Sequence, residues 1–137
     1  TPNALEDLVL ARYERYKIVE EKEKRAEEYR TEDADVIVVA YGASSRVARS
    51  AVNKAREAGK KVGLIRPITL WPFPKDAIKR AADHAKELLV VEMSMGQMVD
   101  DVRLAAECRV PVHFYGRTGG VIPTPKEILG EIDKLLK

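Results

Sequence analysis

Few side chains in this chain are able to do chemistry: His84, His113 and Cys108 stand singly, and Glu92 is the carboxylate that closes an apolar run. An imidazole beside a hydroxyl or thiol would make a nucleophile, and paired carboxylates would make an acid–base couple. Neither arrangement can be assembled from the spacing. His84 falls at the end of a helical pattern, where a cation is mildly favourable, and His113 lies inside a short β-like run. Each reads more readily as structural than as a base. Nothing places Cys108 beside either imidazole, and a lone cysteine cannot supply the Cys-x-x-Cys spacing of a zinc or iron–sulfur site. Glu92 stays open between a functional carboxylate and a structural N-cap or ion pair. The expectation is no catalytic residue and no metal site.

What remains is binding chemistry. Gly42, Ser44, Ser45 and Arg46 open a helical pattern directly after an apolar run. Small residues at a helix N-terminus with an arginine beside them have the composition of an anion site. They lack the Gly-x-Gly-x-x-Gly fingerprint and the Walker lysine, and a plain N-cap at Ser44 or Ser45 accounts for the same residues.

The stretch from Arg66 to Pro74 carries prolines at 67, 72 and 74 together with Trp71, the only tryptophan, and Phe73. Three prolines fix φ and remove three donors, so this segment is neither a central strand nor a helix interior. A stiff, apolar, irregular loop either folds back over its own core or is pressed against another protein surface. A second loop, Met93-Ser-Met-Gly-Gln-Met98, holds all three methionines. Flexible thioethers suit adaptable interfaces and irregular packing alike, and Met98 is the one best placed for the core. Arg66, Trp71, Phe73, Met93, Met95, Gln97 and Arg117 are therefore the interface candidates, with the two arginines as polar anchors at the rim.

The elements that must position these loops alternate. Asp35–Tyr41, Lys61–Ile65 and Leu88–Glu92 are continuous apolar runs of the kind covered on both faces, and Val112–Tyr115 is a short fourth. Helical patterns follow each: from Gly42 to about Ala58, stopped by Gly59; from Pro74 to about Ala85; from Met98; and from Pro125 to near Leu136. Thr124, Pro125 and Glu127 have the form of an N-cap, a first-turn proline and a capping-box partner. Strands separated by helices make βαβ units and a parallel sheet. Their strand-to-helix loops gather at the carboxyl edge, where open α/β sheets bind ligands. The fold class is α/β: a three-layer α/β/α sandwich with a mainly parallel sheet of four to five strands.

The first thirty or so residues read as one long helix, with Leu5, Leu8, Val9, Tyr13, Tyr16, Val19, Ala26 and Tyr29 at helical spacing among dense charges. The expected division is a connecting helix over 1–31 and an α/β domain over 32–137.

Composition narrows the class further. Net charge is +2 with 34% charged residues, so there is no basic excess to bind nucleic acid. No run approaches the ~18 apolar residues of a membrane span, no signal peptide is visible, and one cysteine suits a reducing cytoplasm. Scarce amides, only Asn3, Asn53 and Gln97, follow a thermophile tendency. A start at Thr1 points to a segment of a larger polypeptide.

Four stretches in order carry a family resemblance: Asp35-Val-Ile-Val-Val-Ala-Tyr-Gly-Ala-Ser-Ser-Arg-Val-Ala, Gly63-Leu-Ile-Arg-Pro-Ile-Thr-Leu-Trp-Pro-Phe-Pro, Val91-Glu-Met-Ser-Met-Gly-Gln-Met, and Gly116-Arg-Thr-Gly-Gly-Val-Ile-Pro-Thr-Pro. Together they resemble the C-terminal part of the alpha subunit of 2-oxoacid:ferredoxin oxidoreductases, the 2-oxoglutarate and 2-ketoisovalerate enzymes above all. The resemblance implies a transketolase C-terminal-domain-like fold, with Val36–Tyr41 beside Lys61–Ile65 mid-sheet. Such folds add an antiparallel edge strand before the first parallel one; here a charged helical pattern occupies that stretch. It further implies a multisubunit enzyme that turns a 2-oxoacid, CoA and oxidised ferredoxin into acyl-CoA, CO2 and reduced ferredoxin. Thiamine diphosphate, Mg and iron–sulfur clusters belong to the whole enzyme, and none of their motifs lies in this segment. Its expected part is structural and assembly-related. The alternative is a free-standing module that binds a nucleotide or CoA-like anion at Gly42–Arg46.

Overall fold

The computed structural model describes every residue from Thr1 to Lys137. In chain order the elements are α1 (Pro2–Glu23), β1 (Ala26–Tyr29), β2 (Val36–Val39), α2 (Gly42–Glu57), β3 (Val62–Pro67), α3 (Lys75–Ala82), β4 (Glu87–Glu92), α4 (Met98–Ala106), β5 (Val112–Gly116) and α5 (Pro125–Leu135). The sheet runs β1-β3-β2-β4-β5. Strands β2 to β5 pair in parallel, with Val38 opposite both Leu64 and Leu89, while β1 is antiparallel to β3.

The β-branched runs are continuous because both sheet faces are covered. Ile37, Val39, Ile65, Leu88 and Val90 face α3 and α4, meeting Ile78, Val99 and Val102. Val38, Leu64, Leu89 and Val91 face the other way, meeting Ala48 and Val52 of α2 and Ile128 and Ile132 of α5. Adjacent strand residues thus enter opposite cores, as the two-residue strand period requires. The expected α/β/α sandwich and the β2–β3 pairing are both present. So is the α5 cap: Thr124 accepts the Glu127 N–H while the Glu127 carboxylate accepts the Thr124 N–H.

The amino-terminal expectation needs correction. The helix ends at Glu23 rather than near Arg30, and Ala26–Tyr29 is the fifth strand. Lys24 turns the chain into extended backbone at φ −65°, ψ 131°. The charges between are not a solvated helix face. Glu27 is shared by Arg49 and Arg66, and Glu28 takes a bidentate pair from Arg80. Ala26 packs toward the α3/α4 core and Tyr29 toward the α2/α5 core. A charged strand suits a sheet edge, where it discourages pairing with another chain. The return from β1 passes so close to β3 that a Cβ on Gly63 would lie 2.6 Å from the Arg30 carbonyl oxygen, so only glycine fits there.

Helix α1 buries none of its residues in the chain. Leu5, Leu8, Val9, Leu10, Tyr13 and Ile18 are exposed, and the helix meets the proline-rich segment through Tyr16 against Trp71. No helix is long and apolar enough to cross a membrane.

Candidate functional site

Topology sorts the polar chemistry onto two ends of the sheet. His84 and Cys108 lie on helix-to-strand connections and His113 near the start of β5, which puts all three toward the amino edge. There His84 sets Nε2 2.6 Å from the Thr31 carbonyl and Nδ1 3.0 Å from that of Arg80. His113 pairs with Glu87 at 2.7 Å. Cys108 is exposed, in left-handed backbone at φ 61°. Neither imidazole is bonded to a hydroxyl or a thiol, so the geometry supplies no nucleophile–base pair.

At the carboxyl edge stand the four strand-to-helix loops. The proline-rich loop is tied to the entry of β1: the amides of Ile68 and Thr69 donate to the Arg25 carbonyl, and the Arg25 amide donates to Thr69 Oγ1. Its two aromatics part company. Phe73 is only 9% exposed and belongs to the α3/α4 core, which removes it from the interface candidates. Trp71 follows through a cis peptide to Pro72, is 58% exposed, and meets Tyr16 of α1 edge-on at 5.5 Å. Tyr16 in turn meets Tyr13 edge-on at 5.5 Å, so a short aromatic ladder seats the last part of α1 on the loop. Ile68 and Leu70 flank Trp71, both exposed.

The methionine loop is organised by Glu92, which is buried at the end of β4. Its carboxylate accepts the backbone N–H of Gln97 at 3.2 Å, Met98 at 2.9 Å and Val99 at 3.1 Å, which neutralises the N-terminus of α4. The structural alternative for Glu92 is the one realised. Met98 is core, whereas Met93 is 39% and Met95 84% exposed, with Gln97 exposed beside them. The last loop is braced from the same strand, since the Arg117 amide donates to the Glu92 carbonyl. Arg117 pairs with Glu127, whose carboxyl is held below its ordinary value chiefly by the Thr124 amide. Val121 and Ile122 beyond it are exposed.

The turn after β2 departs from a plain N-cap. Tyr41 occupies the cap position without a side-chain bond, Gly42 sits at φ +58°, and Ser45 Oγ donates to the Gly42 carbonyl instead of accepting an amide. Ser44 is buried and does not line the adjoining cleft. That cleft is lined by Gly42, Ala43, Ser45, Arg46, Arg49, Arg66 and Glu27. Arg49 lies with its guanidinium 4.3 Å from the Tyr29 ring centroid and pairs with Glu27, which also accepts from Arg66 at 2.8 Å. The Glu27 carboxyl is held below its ordinary value, first by Arg66 and then by Arg49. Arg49 escaped the sequence reading. Its three-residue spacing from Arg46 on one helix face was the available signal.

Residues 34–128 match the family Pyruvate:ferredoxin oxidoreductase core domain II. The chain is 48% identical over 128 residues to the ketoisovalerate oxidoreductase subunit VorB of Methanothermobacter thermautotrophicus, covering 93% of this chain and 36% of that subunit. It thus spans about a third of the length of such curated relatives. Its fold matches 2-oxoglutarate:ferredoxin oxidoreductase from Magnetococcus marinus, solved with 2-oxoglutarate, coenzyme A and succinyl-CoA bound, at a TM-score of 0.86 and 26% identity over 100% of this chain and 24% of that one. A split-gene transketolase shares the fold at a TM-score of 0.66 and 18% identity, covering 82% of this chain and 41% of the other.

Proposed function

Because the chain belongs to the pyruvate:ferredoxin oxidoreductase core domain II family, we propose that it is the non-catalytic assembly domain of a 2-oxoacid:ferredoxin oxidoreductase alpha subunit. The whole enzyme would oxidatively decarboxylate a 2-oxoacid of the 2-ketoisovalerate or 2-oxoglutarate type, pass electrons to ferredoxin and yield an acyl-CoA. Thiamine diphosphate, Mg and iron–sulfur clusters would supply the carbanion and electron-transfer chemistry. This chain's donors do not fit the clusters or the ion: its single cysteine is isolated, and no three His, Cys, Asp or Glu side chains converge. On this reading the clusters and the ion are held by other parts of the enzyme. The cytoplasm is its expected compartment, and scarce amides support a thermophilic source.

The observation that carries the assembly role is the distribution of exposed apolar side chains. Ile68, Leu70, Trp71, Met93, Met95, Val121 and Ile122 all sit on strand-to-helix loops at one edge, while the potentially reactive groups lie toward the other. Aromatics and methionine at a surface, with arginine beside them, are the composition of an interface core and its rim. We assign α1 as the connecting helix and residues from β1 onward as the docked domain, with Arg66, Gln97 and Arg117 at the rim. The occupants are the thiamine-binding domain of the same enzyme and its neighbouring subunits.

The test uses the intact subunit. Trp71→Ala combined with Met95→Asp should reduce assembly on size-exclusion chromatography, together with 2-oxoacid-dependent ferredoxin reduction, while the circular dichroism of the 137-residue chain stays unchanged. Full assembly and activity in that double variant would refute the role.

A further inference from the structure

The cleft beside α2 has an excess of positive charge. Three guanidiniums, those of Arg46, Arg49 and Arg66, line it against one carboxylate, Glu27. Glu27 is fully engaged between Arg49 and Arg66, so it orders those two side chains instead of cancelling the set. Stacking of Arg49 on Tyr29, and the bond from Tyr29 to Asn53 at 2.7 Å, fix that arginine further. Arg46 is exposed and makes no ion pair within the chain. The first turn of α2 holds no acidic residue, and Gly42 and Ala43 leave its amides uncovered by bulk.

The geometry points to this arginine cleft as a binding site for a phosphate ester. Three arginines less one glutamate leave two positive charges, which a phosphate monoester carrying about −1.5 to −2 at pH 7 matches and a single carboxylate does not. Guanidinium forks bind phosphate oxygens through paired N–H bonds, and the α2 amides add donors at the same wall. Arg46 supplies the free fork. Arg49 and Arg66, prealigned through Glu27, each need give up little rotamer freedom on binding. Coenzyme A and a free nucleotide or phosphate are two sources of this one chemistry. The coenzyme A source rests on the oxidoreductase reading above, whereas the site itself does not.

Isothermal titration of the full chain with pyrophosphate, ADP and coenzyme A tests the site separately from assembly, which is read by size. Saturable one-to-one binding is expected, weakened at least tenfold by Arg46→Ala. Ala43→Asp places a carboxylate in the first turn of α2, where it favours the helix, and should abolish binding without lowering the melting temperature. Lys54→Ala, on the same helix outside the cleft, controls for bulk charge. Similar affinity for all three probes identifies the phosphate group alone as the determinant; tighter binding of coenzyme A identifies the coenzyme. No saturable heat with any probe overturns the proposal. So does binding that survives Arg46→Ala and Ala43→Asp, or an equal loss in Lys54→Ala.

Discussion

Glu27 and Glu92 show how the same side chain is put to different use by its surroundings. Glu92 is buried and answers the amides of Gln97, Met98 and Val99 at the start of α4, so Glu92→Ala leaves those donors unpaired in a dry site. A loss of about 2–4 kcal/mol is expected, and Glu92→Gln, which keeps one acceptor oxygen, should lose less. Urea unfolding of both variants measures this; equal losses would mean that the acceptor oxygen kept by glutamine does not hold the amides and that the contribution lies in the carboxylate charge. Glu27 is half-exposed and acts through charge. Its carboxyl lies below the ordinary value of 4.5, first through Arg66 and then Arg49. A carboxyl depressed in the folded state stabilises fully above its unfolded pKa, and that contribution disappears as pH falls through the folded value. Glu27→Gln should therefore lower the melting temperature most near neutral pH and least near pH 3. A difference that does not change with pH would contradict this. Neither role was legible from residue type. Glu92 could be recognised as a strand-end carboxylate, but its choice between cap and function depends on where the amides of 97 to 99 point. The partners of Glu27 lie 22 and 39 residues away, beyond any local pattern.

At the scale of elements, β2, β3 and β4 were readable because two-sided burial writes itself as unbroken β-branched runs. Strand β1 was not, since an edge strand satisfied by ion pairs has the same composition as a solvated helix. Phe73 and Trp71 share a loop, and their opposite fates follow from how that loop turns after Thr69 bonds to Arg25. The carboxyl-edge loops were placed together correctly because parallel topology requires it. Two tests belong here. Gly63→Ala sets a Cβ against the Arg30 carbonyl, and moving that backbone should cost about 2–3 kcal/mol in chemical unfolding; a change under 0.5 kcal/mol would show that the β1 return is free to shift. Removing residues 1–15 takes away only exposed parts of α1. The shortened chain should melt within a few degrees of the full one, because stability follows buried area. A large drop would mean that α1 is packed more extensively than its exposed side chains show.

The whole molecule is a sheet with two well-filled cores, reactive groups kept apart at one end, and apolar loops turned outward at the other. The proposed assembly role accounts for that division: on that reading the domain's chemistry is contact. Met93, Met95 and Met98 provide internal reporters of this, two exposed on the carboxyl-edge loop and one buried in the core. The most direct measurement is methionine oxidation by dilute peroxide, followed by mass spectrometry, in the 137-residue chain and in the assembled oxidoreductase. The account predicts that Met95, and Met93 to a smaller degree, oxidise readily in the free chain and are strongly protected after assembly, while Met98 is slow in both. Equal oxidation of Met95 in the free and assembled forms would contradict the carboxyl edge as the docking surface.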